Sequence, residues 1–507
     1  MERQTAKKLH PKGWLSLVGV GVLTGLFAGL TVSAYTAAVE FLGEKSARIY
    51  GWLRENPAWI ALLPLALAAG FFGVLGITRL SPMSRGSGIP QTEGAARGVL
   101  RFKWLRTLLG TAFGSLIAIF CGLAVGSEGP SLQIGACCGK GTAKLLRRRR
   151  FEQRYQMTGG ACAGLATAFN APLSGLVFAF EDAHRRFSPD LFAVSFSAVI
   201  TAVGCRVLLI GGEVCFPGFQ MAGLSWASVG LAAAVGLLSG AGGLLFCRAL
   251  LWYRGAGKSL RWLKLALPFA LAGLCGLFLI EGTGTGKELV MSLSAGELAA
   301  GFLALVLVVR FVLAVLAAGA GVPGGLLIPM LALGACFGGL LARLLQPLGL
   351  SPELMQTCLV LGMTGFFAAS VRTPITAVLL PLELTGCFSS ALLPLILCAA
   401  IAYLLAGLTN TPPLYEALLE RMVEEDRREG RPFVFRKKVE AGSAAAGRTV
   451  REVLWPGHCQ VICLRREGIL LPVDGETLLL PGDELEAELS AATSDEGGEL
   501  LDELLSP

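Results

Sequence analysis

The stretch "AVGSEGPSLQIGACCG", Ala124–Gly139, places one carboxylate, Glu128, between two glycines and a proline, with apolar sequence on both sides. Glycine lets a backbone take unusual dihedrals and approach a neighbour closely. Proline suits the first turn of a helix, where its missing N–H costs nothing. The stretch therefore reads as a break followed by a helix start. Irregular backbone at membrane depth is tolerated only where it is buried in protein or lines a cavity.

Two further breaks have the same character: "GSGIP" (Gly86–Pro90) and "GVPGGLLIP" (Gly321–Pro329). Each precedes a helix-compatible run. The chain also repeats itself. "GPSLQIGACCG" (Gly129–Gly139) and "IPMLALGACFG" (Ile328–Gly338) share a proline, a Gly-Ala-Cys and a closing glycine, 199 residues apart. "APLSGLVFAFED" (Ala171–Asp182) and "TPITAVLLPLEL" (Thr373–Leu384) share a proline and a glutamate nine residues on, 202 residues apart. Repeats with breaks in matching places point to a transporter site near the bilayer midplane.

Composition agrees with a membrane setting. The 507 residues are 54% hydrophobic with mean hydropathy +0.65 and only 16% charged, against about 25% for soluble chains. Apolar runs of spanning length begin near residues 14, 57, 106, 155, 190, 226, 262, 296, 325, 354 and 388. The first, from Leu15, is too long for a signal peptide's apolar region. The expected class is an all-α polytopic membrane protein. Basic residues gather at Lys7, Lys8 and Lys12, at Arg147–Arg150, at Arg185–Arg186 and at Arg254–Lys264. By the positive-inside rule these lie in the cytoplasm, and the base-poor loops 211–223 and 281–286 lie outside. Both termini are then cytoplasmic. The net charge of +7 is mild for this length and gives no sign of a nucleic-acid partner.

The 14 cysteines show no disulfide pattern and mostly sit in apolar runs, as small hydrophobes do. Cys459 and Cys463 lack zinc-site spacing, and His10, His184 and His458 are too few for a histidine metal centre. No metal and no cofactor is expected. "GTGTGKE" (Gly282–Glu288) is one residue short of a phosphate loop and lacks its Ser or Thr, so it reads as an outer loop. "GGACAGLATAF" (Gly159–Phe169) reads as small-residue helix packing. No nucleophile with a nearby base is apparent, which argues against an enzyme. A passive sensor that moves nothing is disfavoured by the broken helices.

The chemistry of the breaks follows from unpaired amides. A helix start leaves about four N–H groups without partners, and the helix dipole adds about half a positive charge there. Three such starts together make an anion site with no fixed formal charge, which binds without holding too tightly. Glu128 then becomes an internal anion that fills the site until an incoming anion or a proton displaces it. Its plainer role is a helix cap, which Ser or Asn would fill at lower cost in lipid. Ser87 offers a hydroxyl to an anion, or caps its own helix. Tyr415, after the last apolar run, reads equally as an interface anchor.

Together these residues resemble the CLC family of chloride channels and chloride/proton antiporters, over roughly Trp14–Met422. "GSGIP" (Gly86, Ser87, Gly88, Ile89, Pro90) is similar to the family's first selectivity motif. "GSEGP" (Gly126, Glu128, Gly129, Pro130) is similar to the second, with Ser127 where Arg or Lys is common. "GGLLIP" (Gly325, Leu327, Ile328, Pro329) is similar to the third, with Leu327 where Phe is frequent. "PLYEAL" resembles the segment with the coordinating tyrosine. The resemblance implies that Ser87 and Tyr415 donate hydroxyls to chloride, that the amides of Leu327 and Ile328 help hold it, and that Glu128 is the gating, proton-accepting glutamate. It also implies that Asp182 is the internal proton relay, with neighbouring Glu181 as a possible substitute. Ser87, rather than methionine, implies chloride rather than fluoride. The implied fold is a CLC-type inverted repeat with broken helices, and the implied assembly a homodimer in the bilayer. The implied activity is exchange of chloride for protons; the alternative is a passive, voltage- or ligand-regulated chloride channel of the same fold.

After residue 422 the character changes. A charged linker, 423–432, leads to a small α+β cytoplasmic domain, 433–490, with short alternating runs, and an acidic tail, 491–507, that is either a mobile end or a short helix. "GRTVREV" and "LLLPGDELEAEL" within Ala441–Leu489 resemble the TrkA/RCK-C regulatory domain of bacterial ion transporters. That resemblance implies a small-molecule or nucleotide ligand and places the protein in a bacterial inner (cell) membrane. The transport domain is expected to occupy 1–422.

Overall fold

A computed structural model describes residues 11–100, 103–178, 180–181, 188–256, 261–388, 392–426, 433–457, 459–489 and 494–506. The first half of the helical part runs α1 (Pro11–Glu55), α2 (Leu63–Leu80), α3 (Ile89–Ala96), α4 (Trp104–Phe120), α5 (Glu128–Leu145), α6 (Arg150–Phe169), α7 (Pro172–Phe178) and α8 (Pro189–Leu209). The second half runs α9 (Trp226–Gly255), α10 (Arg261–Phe278), α11 (Lys287–Ala295), α12 (Ala300–Ala320), α13 (Leu327–Leu345), α14 (Pro352–Val371), α15 (Pro374–Thr385), α16 (Leu392–Leu408) and α17 (Leu414–Asp426). Among the described residues, seven helices are long and apolar enough to cross a membrane, and four shorter apolar ones accompany them. All eleven expected runs are helical. The short helices α3, α7, α11 and α15 lie between them, and α17 follows the last. Leu65, Phe72, Leu208 and Leu404 on the outer surface are exposed, as lipid-facing side chains are.

The repeat seen in the sequence is a repeat of backbone. Gly122 and Gly321, 199 residues apart, both take left-handed φ values, 80° and 79°, just before α5 and α13. Asn170 and Arg372, 202 apart, both take φ near 60° at the ends of α6 and α14. Helices α5 and α6 cross where a Cβ on Gly135 would stand 2.1 Å from the Gly160 carbonyl oxygen, and α13 and α14 cross where a Cβ on Gly334 would stand 2.4 Å from that of Gly362. Only glycine fits such crossings, which is the small-residue packing expected for Gly159–Phe169.

Two exchanges tie the halves together. Gly126 and Gly325 form an antiparallel bridge: Gly126 N donates to Gly325 O at 2.8 Å and Gly325 N donates to Gly126 O at 2.6 Å. The second exchange is between carboxylates. Glu383, at the end of α15, accepts from Leu173 N (2.9 Å) and Ser174 N (2.6 Å) at the start of α7. Glu181, beyond the end of α7, accepts from Ile375 N (2.9 Å), Thr376 N (2.9 Å) and Thr376 Oγ1 (2.7 Å) at the start of α15. Each half thus caps a helix of the other. Mutual exchange of this kind requires a local twofold relation with the two halves running in opposite senses, so the repeat is inverted.

Residues 433–489 form a four-stranded antiparallel sheet of β1 (Phe433–Lys438), β2 (Cys459–Arg466), β3 (Ile469–Leu471) and β4 (Glu484–Leu489), in the order β1-β4-β2-β3. Along β4 the buried Leu485, Ala487 and Leu489 alternate with glutamates, the period of a sheet with one face on a core. The acidic tail forms a helix, α18 (Ser494–Leu505), whose Leu501, Leu504 and Leu505 are buried in the same core as the sheet and Trp455. Arg150 at the start of α6 pairs with Glu499 and Glu503 of α18, and Arg148 donates to Ser16 near the start of α1. The Arg147–Arg150 run, the start of α1 and the C-terminal module therefore lie on one face of the molecule.

Candidate functional site

The three glycine breaks are stitched together. Besides the Gly126–Gly325 bridge, Gly86 N donates to Gly321 O and Gly324 N donates to Gly86 O, both at 3.1 Å. The fit leaves no room for side chains. A Cβ on Gly129 would lie 2.0 Å from Ser87 O and 3.1 Å from Gly325 Cα. Gly88, at φ 84°, precedes α3 and would carry a Cβ 2.9 Å from Gly129 O. Pro90, Pro130 and Pro329 each stand in the first turn of the helix that follows, as their missing N–H favours. The starts of α3, α5 and α13 thus meet at one seam.

Glu128 sits in that seam, fully buried. Its Oε1 accepts from Ser127 N (3.1 Å) and Ser127 Oγ (3.2 Å). Its Oε2 faces Ile328 N of the opposite helix start at 3.5 Å. That last separation exceeds a formed N–H···O bond of about 2.9–3.0 Å, so the carboxylate rests at the α13 start without closing on it. The local charge is favourable, because the first amides of α13 carry the positive end of its dipole. The Ser87 hydroxyl, buried at 6% exposure, has no hydrogen-bond partner among the described residues. A buried hydroxyl in that state costs free energy until a ligand or water meets it. Chemically, the seam can take one small anion through amides and hydroxyls, and its one carboxylate already stands where such an anion would be attracted.

The other expected residues fall as follows. Leu327 and Ile328 are buried and open α13. Ile89, Leu327, Ile328 and Tyr415 share one continuous apolar cluster with Phe178. The Tyr415 ring meets Phe178 edge-on at 6.4 Å between centroids. Its helix α17 packs on α3, where a Cβ on Gly94 would lie 2.6 Å from Leu419. The interface-anchor reading of Tyr415 is thereby corrected: the ring is fully buried, whereas an anchor stands at the water boundary. Asp182 lies outside the described residues. Glu181 turns both oxygens to the start of α15 and caps that helix. Sequence reasoning paired Glu383 with Glu181 through their 202-residue offset but missed that each caps the other's helix. It also missed Arg310, a fully buried arginine of α12 that donates to Thr283 O and Gly284 O, each at 3.0 Å, and so ties down the 281–286 loop. An arginine inside "VLVVRFVLAV" is itself the signal, since a charge in an apolar helix needs a built partner.

A family model described as voltage gated chloride channel matches residues 69–407. The chain belongs to the CLC family. Among its CLC relatives, the H(+)/Cl(-) exchange transporter ClcA of Vibrio cholerae is 32% identical over 439 residues, covering 81% of this chain and 91% of the relative. The protein of the same name from Vibrio vulnificus is 32% identical over 440 residues, covering 82% and 92%. The crystal structure of a slow cyanobacterial Cl-/H+ antiporter superposes with a TM-score of 0.75 at 28% identity, over 83% of this chain and all of that one. A eukaryotic CLC transporter shares the fold, with a TM-score of 0.66 at 23% identity, over 83% of this chain and 78% of that one. The chain is thus a multi-pass membrane protein of the CLC fold, and its C-terminal sheet lies beyond the family match.

Proposed function

We propose that this CLC chain exchanges chloride for protons across its membrane, with the Glu128 carboxylate and chloride competing for the amides at the start of α13. The observation that carries this reading is the position of Glu128: buried, in the seam, and 3.5 Å from Ile328 N. A passive channel needs only the amides. A buried carboxylate at the same seat adds a group that takes a proton when it leaves. Relatives named as H(+)/Cl(-) exchange transporters support the same activity. In this reading chloride also meets the Ser87 and Tyr415 hydroxyls and the Leu327 amide, and Asp182 carries protons on the inner side.

Further parts of the proposal draw on the charged face and on the resemblances read in the sequence. The basic run, the start of α1 and the C-terminal module share one face, and the positive-inside rule makes that face cytoplasmic. The setting is then a bacterial cell membrane with both termini inside. The protein works as a homodimer with one pathway per subunit, and the 433–490 module, with its TrkA/RCK-C likeness, is regulatory and takes a small-molecule or nucleotide ligand.

The test is flux from proteoliposomes with chloride and protons recorded together. Wild-type protein is expected to move protons uphill against a chloride gradient. Glu128→Gln is expected to keep chloride flux and lose proton movement. Chloride flux in wild type with no proton movement at any gradient would replace the exchanger with the channel.

A further inference from the structure

The C-terminal module holds the far end of the helix that presents Ser87. Helix α3 is eight residues long, about 12 Å at 1.5 Å per residue. Its last four carbonyls need partners. Three are met by the chain that follows: Glu93 O by Arg97 N (2.8 Å), Gly94 O by Val99 N (2.8 Å) and Ala95 O by Gly98 N (3.1 Å). The fourth, Ala96 O, accepts from Arg154 Nε of α6 at 2.6 Å. The same guanidinium reaches the module, donating from Nη1 to Leu454 O (2.8 Å) and from Nη2 to Trp455 O (3.0 Å). One step along, Gly457 N of the module donates to Arg97 O. Arg154 is 5% exposed. Its rigid planar fork thus joins one helix end to two carbonyls of the module.

At its other end α3 has no slack. Gly88 and Ser87 press against Gly129 of α5, at the contacts given above. A helix this short moves as a rod. A shift at Ala96 is felt at Ser87, and the module cannot move without disturbing Ala96 or abandoning Arg154.

We propose that Arg154 is a positioning residue through which the C-terminal module sets the pose of α3, and with it the affinity of the anion site at Ser87. The inference rests on the anion-site reading above and names the route of regulation for it. A second anchor, the ion pair of Arg448 with buried Asp190 at the start of α8 (2.6 Å), holds the module without touching α3. It supplies the comparison.

The test is chloride titration of the full-length protein in detergent by calorimetry. Arg154→Gln is expected to weaken chloride binding about fivefold or more, the lower range of an allosteric coupling, while proton-to-chloride stoichiometry in liposomes stays at the wild-type value. Arg154→Lys restores the charge but not the three-way fork, so it is expected to stay weak. Gly457→Leu approaches from the module: its Cβ would lie 2.7 Å from Val99 and 3.0 Å from Arg97 O, so it breaks the grip without altering any transmembrane helix. It too is expected to weaken chloride, and it carries the test alone should Arg154→Gln fail to fold. Arg448→Ala is expected to change affinity less than either. Wild-type affinity in Gly457→Leu, or full rescue by Arg154→Lys, would overturn the proposal. Absence of chloride binding in wild-type protein would instead overturn the anion-site reading beneath it.

Discussion

The start of α5 and the start of α13 are one backbone used twice. Ser127 and Leu326, 199 residues apart, precede the two helices with nearly equal dihedrals, φ −96° and ψ −14° against φ −112° and ψ −10°. The glycines before them bond to each other. The side chains then diverge. Glu128 stands opposite Leu327 in the repeat, and Gly129 opposite Ile328. The acid of the first start faces the amide of the second. Symmetry therefore supplies two anion-attracting helix ends, and a single pair of unlike residues gives one the competing carboxylate and the other the amide that the carboxylate faces. Gly129 serves the same asymmetry, because only a hydrogen there lets the Ser87 carbonyl come close.

The comparison breaks hardest at Gly129. Gly129→Ala drives a methyl into Ser87 O and Gly325, both backbone, so no side chain can yield. The expected result is loss of monodisperse protein in size-exclusion chromatography, although Ile328 occupies the equivalent place in the other half without conflict. Next comes the pair of exchanged carboxylates. Glu383→Gln turns one acceptor into a donor facing amide N–H groups in a buried place, at a cost of about 1–3 kcal/mol. Thermal unfolding followed by tryptophan fluorescence should show a lower midpoint. Glu181→Gln makes the same change at a half-buried cap, and a smaller drop is expected. Equal drops would mean that the two halves are held equally, against the burial difference. The smallest effect belongs to Ser127→Ala. It removes the hydroxyl contact to Glu128 but keeps the backbone donor, for about 0.5–1 kcal/mol. Chloride flux should change by no more than about fivefold.

Much of this was legible in the chain. The three breaks carry their glycines and prolines in plain order, and the 199- and 202-residue offsets mark the two pairs of equivalent segments. Offsets report equivalence, however, and not partnership. Glu181 and Glu383 were found as copies of each other; that each caps the other's helix depends on the inversion, which periodicity does not encode. Arg154 was illegible for a different reason. Its acceptors are backbone carbonyls, at Ala96 and some 300 residues away at Leu454 and Trp455, and carbonyls leave no trace in residue identity. The tail illustrates the bias of composition: "SDEGGELLDELL" is acidic enough to look solvated, yet its leucines at 501, 504 and 505 follow a helical spacing that closes the module's core.

The central claim is that a small anion and the Glu128 carboxylate compete for one seat beside the Ile328 amide. Anomalous diffraction from bromide-soaked crystals of wild type and Glu128→Gln addresses it most directly. The account predicts a bromide peak within hydrogen-bonding reach of Ile328 N in Glu128→Gln and none at that place in wild type, where the carboxylate sits. A wild-type peak coexisting with the bound carboxylate, or an empty seat in Glu128→Gln under saturating bromide, would contradict it.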